Sequence, residues 1–270
     1  MKSIRDMVAY YNTSVERDAR YEVVEFLLRN LAGLDDISMG DVARQTFVSK
    51  STVSRLARRL GFADYDELLG EARRFASQDP TVMLRMGPET SELVATDPDR
   101  FARAYLDEVI ASLVQLKESL DMRDLDELIR LMLETPDVAL FAADKPLTLA
   151  RDLQTALLLA GRLAQVGETK QKRQQVARDL PEGSLAVVLS NHGRYVDGNQ
   201  EMLSDLRRRG VRLWLVTLCY AGPGALLFDH VMRLTTDAYS SVGIYPMRAF
   251  VEILVRRMLA ARPGGVGARA

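Results

Sequence analysis

The sequence predicts two domains of different class, an all-helical N-terminal domain followed by a three-layer α/β/α domain with a five-stranded parallel sheet. Up to about residue 77, apolar residues recur at the spacing of one face of a helix. From residue 136, short apolar runs alternate with helix-length segments, which is typical of a parallel sheet covered on both faces. A chain of 270 residues is long enough for two domains of ordinary size.

The predicted boundaries follow these changes of pattern. Prolines and glycine interrupt the periodicity after residue 77, and the cap Asp97-Pro98 then starts a connecting helix. The C-terminal tail is rich in glycine, so it is predicted to be disordered. The predicted segments are residues 1–77 (helical domain), 78–123 (linker and connecting helix), 124–262 (α/β domain) and 263–270 (tail).

Helices outside the central motif of the first domain are predicted at residues 1–12, from Thr13 or Ser14 to Asn30, and at residues 65–77. In the second domain, buried strands are predicted from short apolar runs between turn residues. The strands are residues 137–143, 163–166, 185–190, 212–217 and 230–235, and the helices are residues 125–134, 147–161, 168–178, 198–209 and 243–261.

Residues 41–62 form the central motif, which is typical of a helix-turn-helix. A tight turn is predicted at residues 46–48, and Ser49 is predicted to cap a second helix that begins at Lys50. Gly61 would end that helix, since glycine is common just past a helix C-terminus. The predicted buried face of this helix consists of Val53, Leu56 and Leu60.

The outer face of the same helix is basic and rich in hydroxyl groups, which suits the major groove of DNA. Five cations and no acid lie between Arg44 and Arg59, while the whole chain has a net charge of −1. DNA binding must therefore come from this local face, although a solvated amphipathic helix would show the same pattern. The predicted DNA-binding residues are Ser49, Lys50, Ser51, Thr52, Ser54, Arg55, Arg58 and Arg59.

Composition argues against several other classes of protein. The hydrophobic fraction of 47% and charged fraction of 27% are ordinary for a globular protein. One cysteine, Cys219, and two histidines, His192 and His230, argue against a disulfide framework or a zinc site, so no metal or cofactor is predicted. No run approaches the ~20 apolar residues that span a bilayer, and no signal peptide is recognised. A cytoplasmic protein without membrane association is expected.

Residues 20–75 resemble the N-terminal domain of the RpiR/MurR family of bacterial transcriptional regulators. The match runs through the helix-turn-helix and continues into the Leu-Gly-Phe and Tyr residues that follow it. The matching residues are Ser49, Ser51, Thr52, Val53, Arg55, Leu60, Gly61, Phe62 and Tyr65. Thr46-Phe47 departs from the family, which usually has a small residue or glycine in the turn.

Residues 125–259 resemble the SIS (sugar isomerase) domain that usually accompanies this DNA-binding domain. In parallel sheets, ligands bind at the carboxyl ends of the strands, which here point to loops 142–147, 190–197 and 217–224. The phosphate-binding GxGxS of SIS domains is missing, because residues 142–146 contain neither glycine nor serine. The predicted effector-binding residues are Lys145, Ser190, Asn191, His192, Gly193, Arg194 and Thr217.

The resemblance implies a regulator that binds double-stranded operator DNA as a homodimer or dimer of dimers and responds to a phosphorylated sugar. A second interpretation makes the α/β domain a dimerisation module without a ligand, because the hydroxyls that would hold phosphate are mostly replaced. A third, a sugar-phosphate isomerase, would need a general base, for which His192 and Asp144 are the loop candidates. The prediction is a regulator that is not an enzyme.

Overall fold

The structure is a computed structural model that describes residues 4–78, 85–236, 239 and 241–261. The chain divides into two compact units, Met1–Met83 and Leu84–Ala270. The predicted tail at residues 263–270 and part of the predicted linker lie outside the described residues. In the described part of the chain, every helix is too short or too polar to cross a lipid bilayer.

The first unit is all-helical, as predicted. Its elements are α1 (Ile4–Thr13), α2 (Ala19–Arg29), a 3₁₀ helix (Leu31–Asp36), α3 (Met39–Gln45), α4 (Lys50–Arg59) and α5 (Tyr65–Ala76). Each of the five α-helices contributes buried apolar side chains to one shared core. The buried phenol of Tyr65 donates a hydrogen bond to the Ile37 carbonyl at 3.3 Å, which joins the start of α5 to the segment before α3.

Helix α2 begins later than the sequence predicted. The carboxylate of Asp18 accepts hydrogen bonds from the amides of Arg20 at 3.0 Å and Tyr21 at 2.9 Å, so Asp18 is the cap. The Ser14 hydroxyl instead donates back to the Tyr10 carbonyl at 2.7 Å, at the end of α1. The prediction that Thr13 or Ser14 starts this helix was wrong, because the carboxylate can satisfy two of the unpaired amides of α2.

The helix-turn-helix is confirmed, and its second helix has the predicted bounds. Ser49 caps α4 by accepting a hydrogen bond from the Thr52 amide at 3.2 Å. The predicted inner face, Val53, Leu56 and Leu60, is buried. Since these side chains fix the rotation of α4 about its axis, the remaining face of the helix is turned to solvent.

The second unit has three layers around one sheet. Its helices are α6 (Pro88–Thr96), α7 (Pro98–Ser119), α8 (Met122–Glu134), α9 (Lys145–Leu159), α10 (Lys170–Asp179), α11 (Arg194–Asp197), α12 (Gln200–Arg208) and α13 (Tyr245–Ala261), with a 3₁₀ helix at Pro223–Leu227. Its strands are β1 (Val138–Ala142), β2 (Ala164–Val166), β3 (Leu185–Leu189), β4 (Arg212–Thr217) and β5 (His230–Arg233).

The sheet is parallel throughout, with the strand order β2-β1-β3-β4-β5, which confirms the predicted five-stranded parallel sheet. Every residue of β1 and β3 is buried, because separate apolar clusters cover the two faces of the sheet. The order reverses between β1 and β3, since β2 lies on one side of β1 and the later strands on the other. Ligands of such sheets bind at this reversal, beyond the carboxyl ends of the strands.

Helix α7, which the sequence assigned to a connecting helix, packs on the second unit. Its Tyr105 hydroxyl donates to the Val242 carbonyl at 3.3 Å, and its Gln115 side chain accepts from the Thr236 amide at 2.9 Å. Of its 22 residues, Ser112 and Leu116 are buried. The helix therefore uses a narrow face against the sheet layers and leaves much of its surface exposed.

Candidate functional site

The predicted DNA-binding residues lie together on the outer face of α4 and on its cap. Arg55, Arg58 and Arg59 are exposed, and Thr52 and Ser54 are partly exposed. Ser49, Lys50 and Ser51 are exposed at the N-terminal end of the helix. The inner face of α4 is buried in the core of the unit, so this polar face is the side that a duplex could reach.

A cluster of hydroxyl groups surrounds the N-terminus of α4. The Ser49 Oγ atom lies 2.7 Å from Ser51 Oγ and 3.0 Å from Thr52 Oγ1. The first amides of a helix have no intrahelical partners, and the helix dipole is positive at this end. The hydroxyls and amides together can donate hydrogen bonds to a phosphate group.

The cations of the motif differ in their surroundings. Arg55 lies along the helix towards the hydroxyl cluster, since its Nε atom donates to the Ser51 carbonyl at 3.3 Å and its Nη2 atom to Thr52 Oγ1 at 3.4 Å. Within the described residues, no ion pair to a carboxylate is found for Arg55, Arg58 or Arg59. These three guanidinium groups can therefore interact with phosphates or with guanine edges.

The charges of Arg44 and Lys50 are partly compensated by one acidic residue before the turn, Asp41. Arg44 forms an ion pair with Asp41, which also accepts hydrogen bonds from Ser38 in a capping box. The hydrogen bond from the Ser38 hydroxyl lowers the pKa of Asp41, and the charges of Arg44 and Lys50 lower it further. The count of five cations without an acid between Arg44 and Arg59 therefore overstates the uncompensated charge of this surface.

The predicted effector-binding residues lie at or just after the carboxyl ends of β1, β3 and β4, which are neighbours in the sheet. The loops after β3 and β4 are joined by two hydrogen bonds to the Asn191 carbonyl, from the Leu218 amide at 2.9 Å and from Thr217 Oγ1 at 3.0 Å. Lys145 is the first residue of α9, which follows β1. The fold thus brings these residues to one edge of the sheet, where the strand order reverses.

The hydroxyl groups of this site are engaged within the protein. The Ser190 side chain is buried, and its Oγ atom accepts a hydrogen bond from the Tyr195 amide at 3.3 Å. Thr217 is fully buried, and besides donating to Asn191 its Oγ1 atom accepts from the Tyr220 amide at 3.3 Å. These hydrogen bonds hold the loops after β3 and β4 in their observed conformation.

Tyr220 covers the turn after β3. A Cβ atom placed on Gly193, whose φ is +77°, would lie 1.8 Å from the Tyr220 ring, so the residue at this position must lack a side chain. The Tyr220 hydroxyl donates to the Asp197 carboxylate, and burial together with this carboxylate raises the pKa of Tyr220 to about 12. The ring fills the space over Gly193.

The cationic groups of the site are more accessible than its hydroxyls. Lys145 and Arg194 are exposed, and His192 is partly buried with its Nδ1 atom 3.4 Å from Cys219 Sγ. Before Lys145, Asp144 has φ +58° and ψ −132°, a conformation that glycine adopts far more readily than other residues. An anion bound here would interact with charges, because the nearby serine and threonine hydroxyls are engaged elsewhere.

The predicted site did not include two aromatic residues of this edge, Tyr195 and Tyr220. Tyr220 lies within the predicted loop 217–224, but an aromatic side chain has no phosphate-binding signature. The Tyr195 hydroxyl is buried without a hydrogen-bond partner among the described residues, and burial raises its pKa.

In the part of the chain that the structure describes, no cluster of three or more His, Cys, Asp or Glu residues could hold a metal ion.

The chain is similar in sequence to a curated regulator. It is 26% identical over 179 residues to the HTH-type transcriptional regulator HexR of Pseudomonas aeruginosa, an alignment that covers 65% of this chain and 60% of HexR. The chain therefore spans less than two thirds of the length of this relative. No family model matches the chain.

The chain is also similar in fold to solved structures. The sugar isomerase domain of an RpiR transcription factor from Sphaerobacter thermophilus aligns with a TM-score of 0.52 and 18% identity, over 60% of this chain and 92% of that domain. NanR of Vibrio vulnificus aligns over 94% of this chain and 91% of its own at 18% identity, with a TM-score of 0.49. The match to HexR is a similarity to an HTH-type transcriptional regulator, and the Sphaerobacter domain shows that the α/β unit has the fold of a sugar isomerase domain.

Proposed function

We propose that this protein is a transcriptional regulator whose helix-turn-helix binds operator DNA. The observation that carries the proposal is the outer face of α4, where a hydroxyl cluster and three arginines without carboxylate partners in the described structure face solvent. The similarity to HexR, which is named as an HTH-type transcriptional regulator, supports it. The proposed contacts are Ser49, Lys50, Ser51, Thr52, Ser54, Arg55, Arg58 and Arg59.

Arg55 provides the first test of DNA binding. Its guanidinium lies beside the hydroxyl cluster at the end of the helix that would approach the bases. Replacing it in Arg55→Ala is expected to weaken binding by about 1–3 kcal/mol if it contacts a base. The measurement is fluorescence anisotropy at fixed salt, with a duplex that the wild-type protein has enriched from a random library.

The matched control is Arg29→Ala, which removes an arginine of the same unit that is paired with Glu25 at 2.7 Å on α2. We expect this variant to bind like the wild type. Equal affinity of Arg55→Ala and the wild type would remove Arg55 from the interface. Failure of the wild type to enrich any duplex would contradict the proposed function itself.

Arg58 and Arg59 are expected to contact phosphates, which make binding dependent on salt. Each phosphate contact contributes about 0.9 to the slope of log K against log salt concentration. Arg58→Ala should therefore lower the slope by about that amount for each protomer on the duplex. An unchanged slope would show that Arg58 does not contact a phosphate.

A homodimer or dimer of dimers is proposed as the assembly, since two recognition helices would then read half-sites about 34–36 Å apart. The exposed face of α7 has an apolar stripe that suits a second copy of the chain: Leu106 is 59%, Ile110 59% and Val114 47% exposed. These residues are spaced by four, so they line one side of the helix. Ile110→Glu should dissociate the assembly in sedimentation velocity, whereas Ala104→Glu adds the same charge on an exposed side of α7 away from this stripe and should leave the assembly unchanged.

The proposed effector is a phosphorylated sugar at the carboxyl edge of the sheet. The sugar isomerase fold supports this class of ligand, and Lys145, His192 and Arg194 supply cationic groups for its phosphate. The proposed site also includes Ser190, Asn191, Gly193 and Thr217. A ligand would control DNA binding only if it bound the DNA-competent and DNA-incompetent states unequally.

A second candidate function for this unit is dimerisation without a ligand. It is favoured by the internal hydrogen bonds of Ser190 and Thr217 and by the Tyr220 ring over Gly193. Both observations indicate an edge that is stable without phosphate. In that case DNA binding would not respond to any phosphorylated sugar.

Thermal unfolding against hexose, amino-sugar and pentose phosphates separates the two candidates. A ligand at ~100 times its Kd stabilises the folded state by about 2.7 kcal/mol, which moves Tm by a few degrees. A shift in Tm that is lost in Arg194→Ala but kept in Arg151→Ala would support the effector site. Arg151 is the control because it lies on α9 outside the proposed site and forms an ion pair with Glu168. A flat panel with intact DNA binding would support dimerisation alone.

We infer that the protein is not an enzyme. Isomerisation would need a general base held at the substrate carbon, and the loop candidates are His192 and Asp144. The hydroxyls that could position a sugar phosphate beside them are engaged within the protein. Interconversion of a hexose or pentose phosphate that is abolished in His192→Ala would overturn this inference.

A further inference from the structure

The turn of the helix-turn-helix places an aromatic residue in a conformation that glycine favours. Phe47 has φ +52° and is 96% exposed. Its amide donates to the Arg44 carbonyl at 3.3 Å, and the next amide, of Val48, donates to the Ala43 carbonyl at 2.9 Å. These two hydrogen bonds form a Schellman motif at the end of α3. In this motif the backbone at the position of Phe47 must adopt the left-handed conformation.

Three other helices of the chain end in the same way, and each has glycine at this position. They are α4 with Gly61 at φ +92°, α9 with Gly161 at +80° and α12 with Gly210 at +76°. In each, the same pair of hydrogen bonds returns to the last turn of the helix. Glycine adopts this conformation without the steric penalty of a Cβ atom. Phe47 is the exception among these four helix ends.

Packing in the core does not offset the backbone strain at Phe47. The next residue, Val48, is partly buried against the core of the unit, whereas the Phe47 ring is almost wholly in solvent. Phe47 therefore has two features that are unfavourable in the protein alone: a strained backbone conformation and an aromatic ring exposed to water. Contact between the Phe47 ring and another molecule would explain both features.

The position of Phe47 indicates what that partner is. It precedes Ser49, the cap of α4, by two residues, so their backbones are within about 7 Å of each other. The neighbouring surface is the hydroxyl cluster and the arginines that face solvent. In the helix-turn-helix arrangement, the N-terminal end of the second helix enters the major groove, where the apolar feature is the thymine methyl group.

We propose that the Phe47 ring contacts the C5-methyl group of a thymine in the major groove of the operator and helps to specify that base. This inference rests on the proposed DNA-binding function. It adds an apolar contact to a surface whose other members recognise phosphates and polar base edges. An aromatic ring that reads a methyl group has a defined chemical test, because the methyl can be removed from the DNA without changing base pairing.

The first experiment compares Phe47→Gly with the wild-type protein. Glycine relieves the left-handed strain, so we expect Tm to rise. Affinity for the duplex enriched by the wild-type protein should fall about tenfold or more. Opposite signs for stability and affinity would separate a lost contact from a damaged fold. Unchanged affinity would overturn the inference.

The second experiment replaces each thymine of that duplex in turn by deoxyuridine. The wild type should lose affinity at one thymine in each half-site, and Phe47→Gly should be indifferent to the replacement at that same position. If Phe47→Gly weakens binding equally to every duplex of the series, the ring contacts the DNA backbone and the thymine assignment is overturned. If the wild type enriches no duplex at all, the proposed function fails and the inference fails with it.

Discussion

The same residue types are used differently at the two surfaces where ligands are proposed to bind. On α4 the hydroxyls of Ser51 and Thr52 lie at the surface, beside arginines without carboxylate partners in the described structure. At the carboxyl edge of the sheet, Ser190 and Thr217 are buried and bonded to the backbone. Serine and threonine in a loop or at a helix start therefore do not by themselves indicate a ligand site.

The contrast separates effects on stability from effects on binding. Changes on the outer face of α4 should alter DNA affinity and leave folding nearly unchanged, because these groups face water in the free protein. Changes at the sheet edge should first alter the free energy of unfolding, since a buried group that loses its partner costs about 1–3 kcal/mol.

The largest expected effect is at Thr217. Thr217→Val keeps the shape of the side chain but removes a donor to the Asn191 carbonyl and an acceptor for the Tyr220 amide. We expect the second unit to lose about 2 kcal/mol of unfolding free energy, measured in urea. The control Ser51→Ala should stay within about 0.5 kcal/mol of the wild type. Equal losses in the two variants would contradict the contrast.

A smaller effect of opposite sign is expected at Asp144. Its φ of +58° strains any residue with a Cβ atom, so Asp144→Gly should be more stable than Asp144→Ala by about 1 kcal/mol in urea unfolding. The alanine variant is the reference because it removes the carboxylate and its interactions while keeping the strain. No difference between the two would show that the loop relaxes to accommodate alanine.

Local patterns explain why the bounds of α4 and the strands could be predicted. The apolar spacing of Val53, Leu56 and Leu60, the Ser49 cap and Gly61 all lie within one stretch of the chain. The start of α2 was missed because three nearby residues can each cap a helix, and the two bonds to Asp18 decide among them.

The interior of the sheet edge could not be predicted from such patterns. The bonds of Thr217 to Asn191 and the placement of Tyr220 over Gly193 join residues more than 25 positions apart. They exist because β3 and β4 are neighbours in the sheet, which depends on the strand order and not on the local sequence. The residue types of the site could be listed in advance, but their hydrogen-bond partners could not.

The smallest expected effect concerns the ionisation of Tyr220, which tests the buried side of the contrast. Its pKa is raised from 10.0 to about 12, first by burial and then by the Asp197 carboxylate. The unfolded chain therefore releases this proton at a lower pH than the folded chain. The raised pKa of Tyr220 therefore adds to the free energy of unfolding. This stabilisation is fully present below pH 10 and is lost as pH rises from there towards about 12.

Tyr220→Phe keeps the ring over Gly193 and removes the ionisable group. The difference in unfolding free energy between this variant and the wild type should be constant from pH 8 to about 9.5. By pH 10.5 the wild type should have lost less than about 1 kcal/mol of unfolding free energy relative to the variant. Tyr65 and Tyr195, whose pKa values are also raised by burial, remain in both proteins and cancel in the difference. A difference that stays flat to pH 10.5 would mean that the phenol ionises in the folded protein as it does in water, and that Tyr220 leaves Gly193 more readily than its packing indicates.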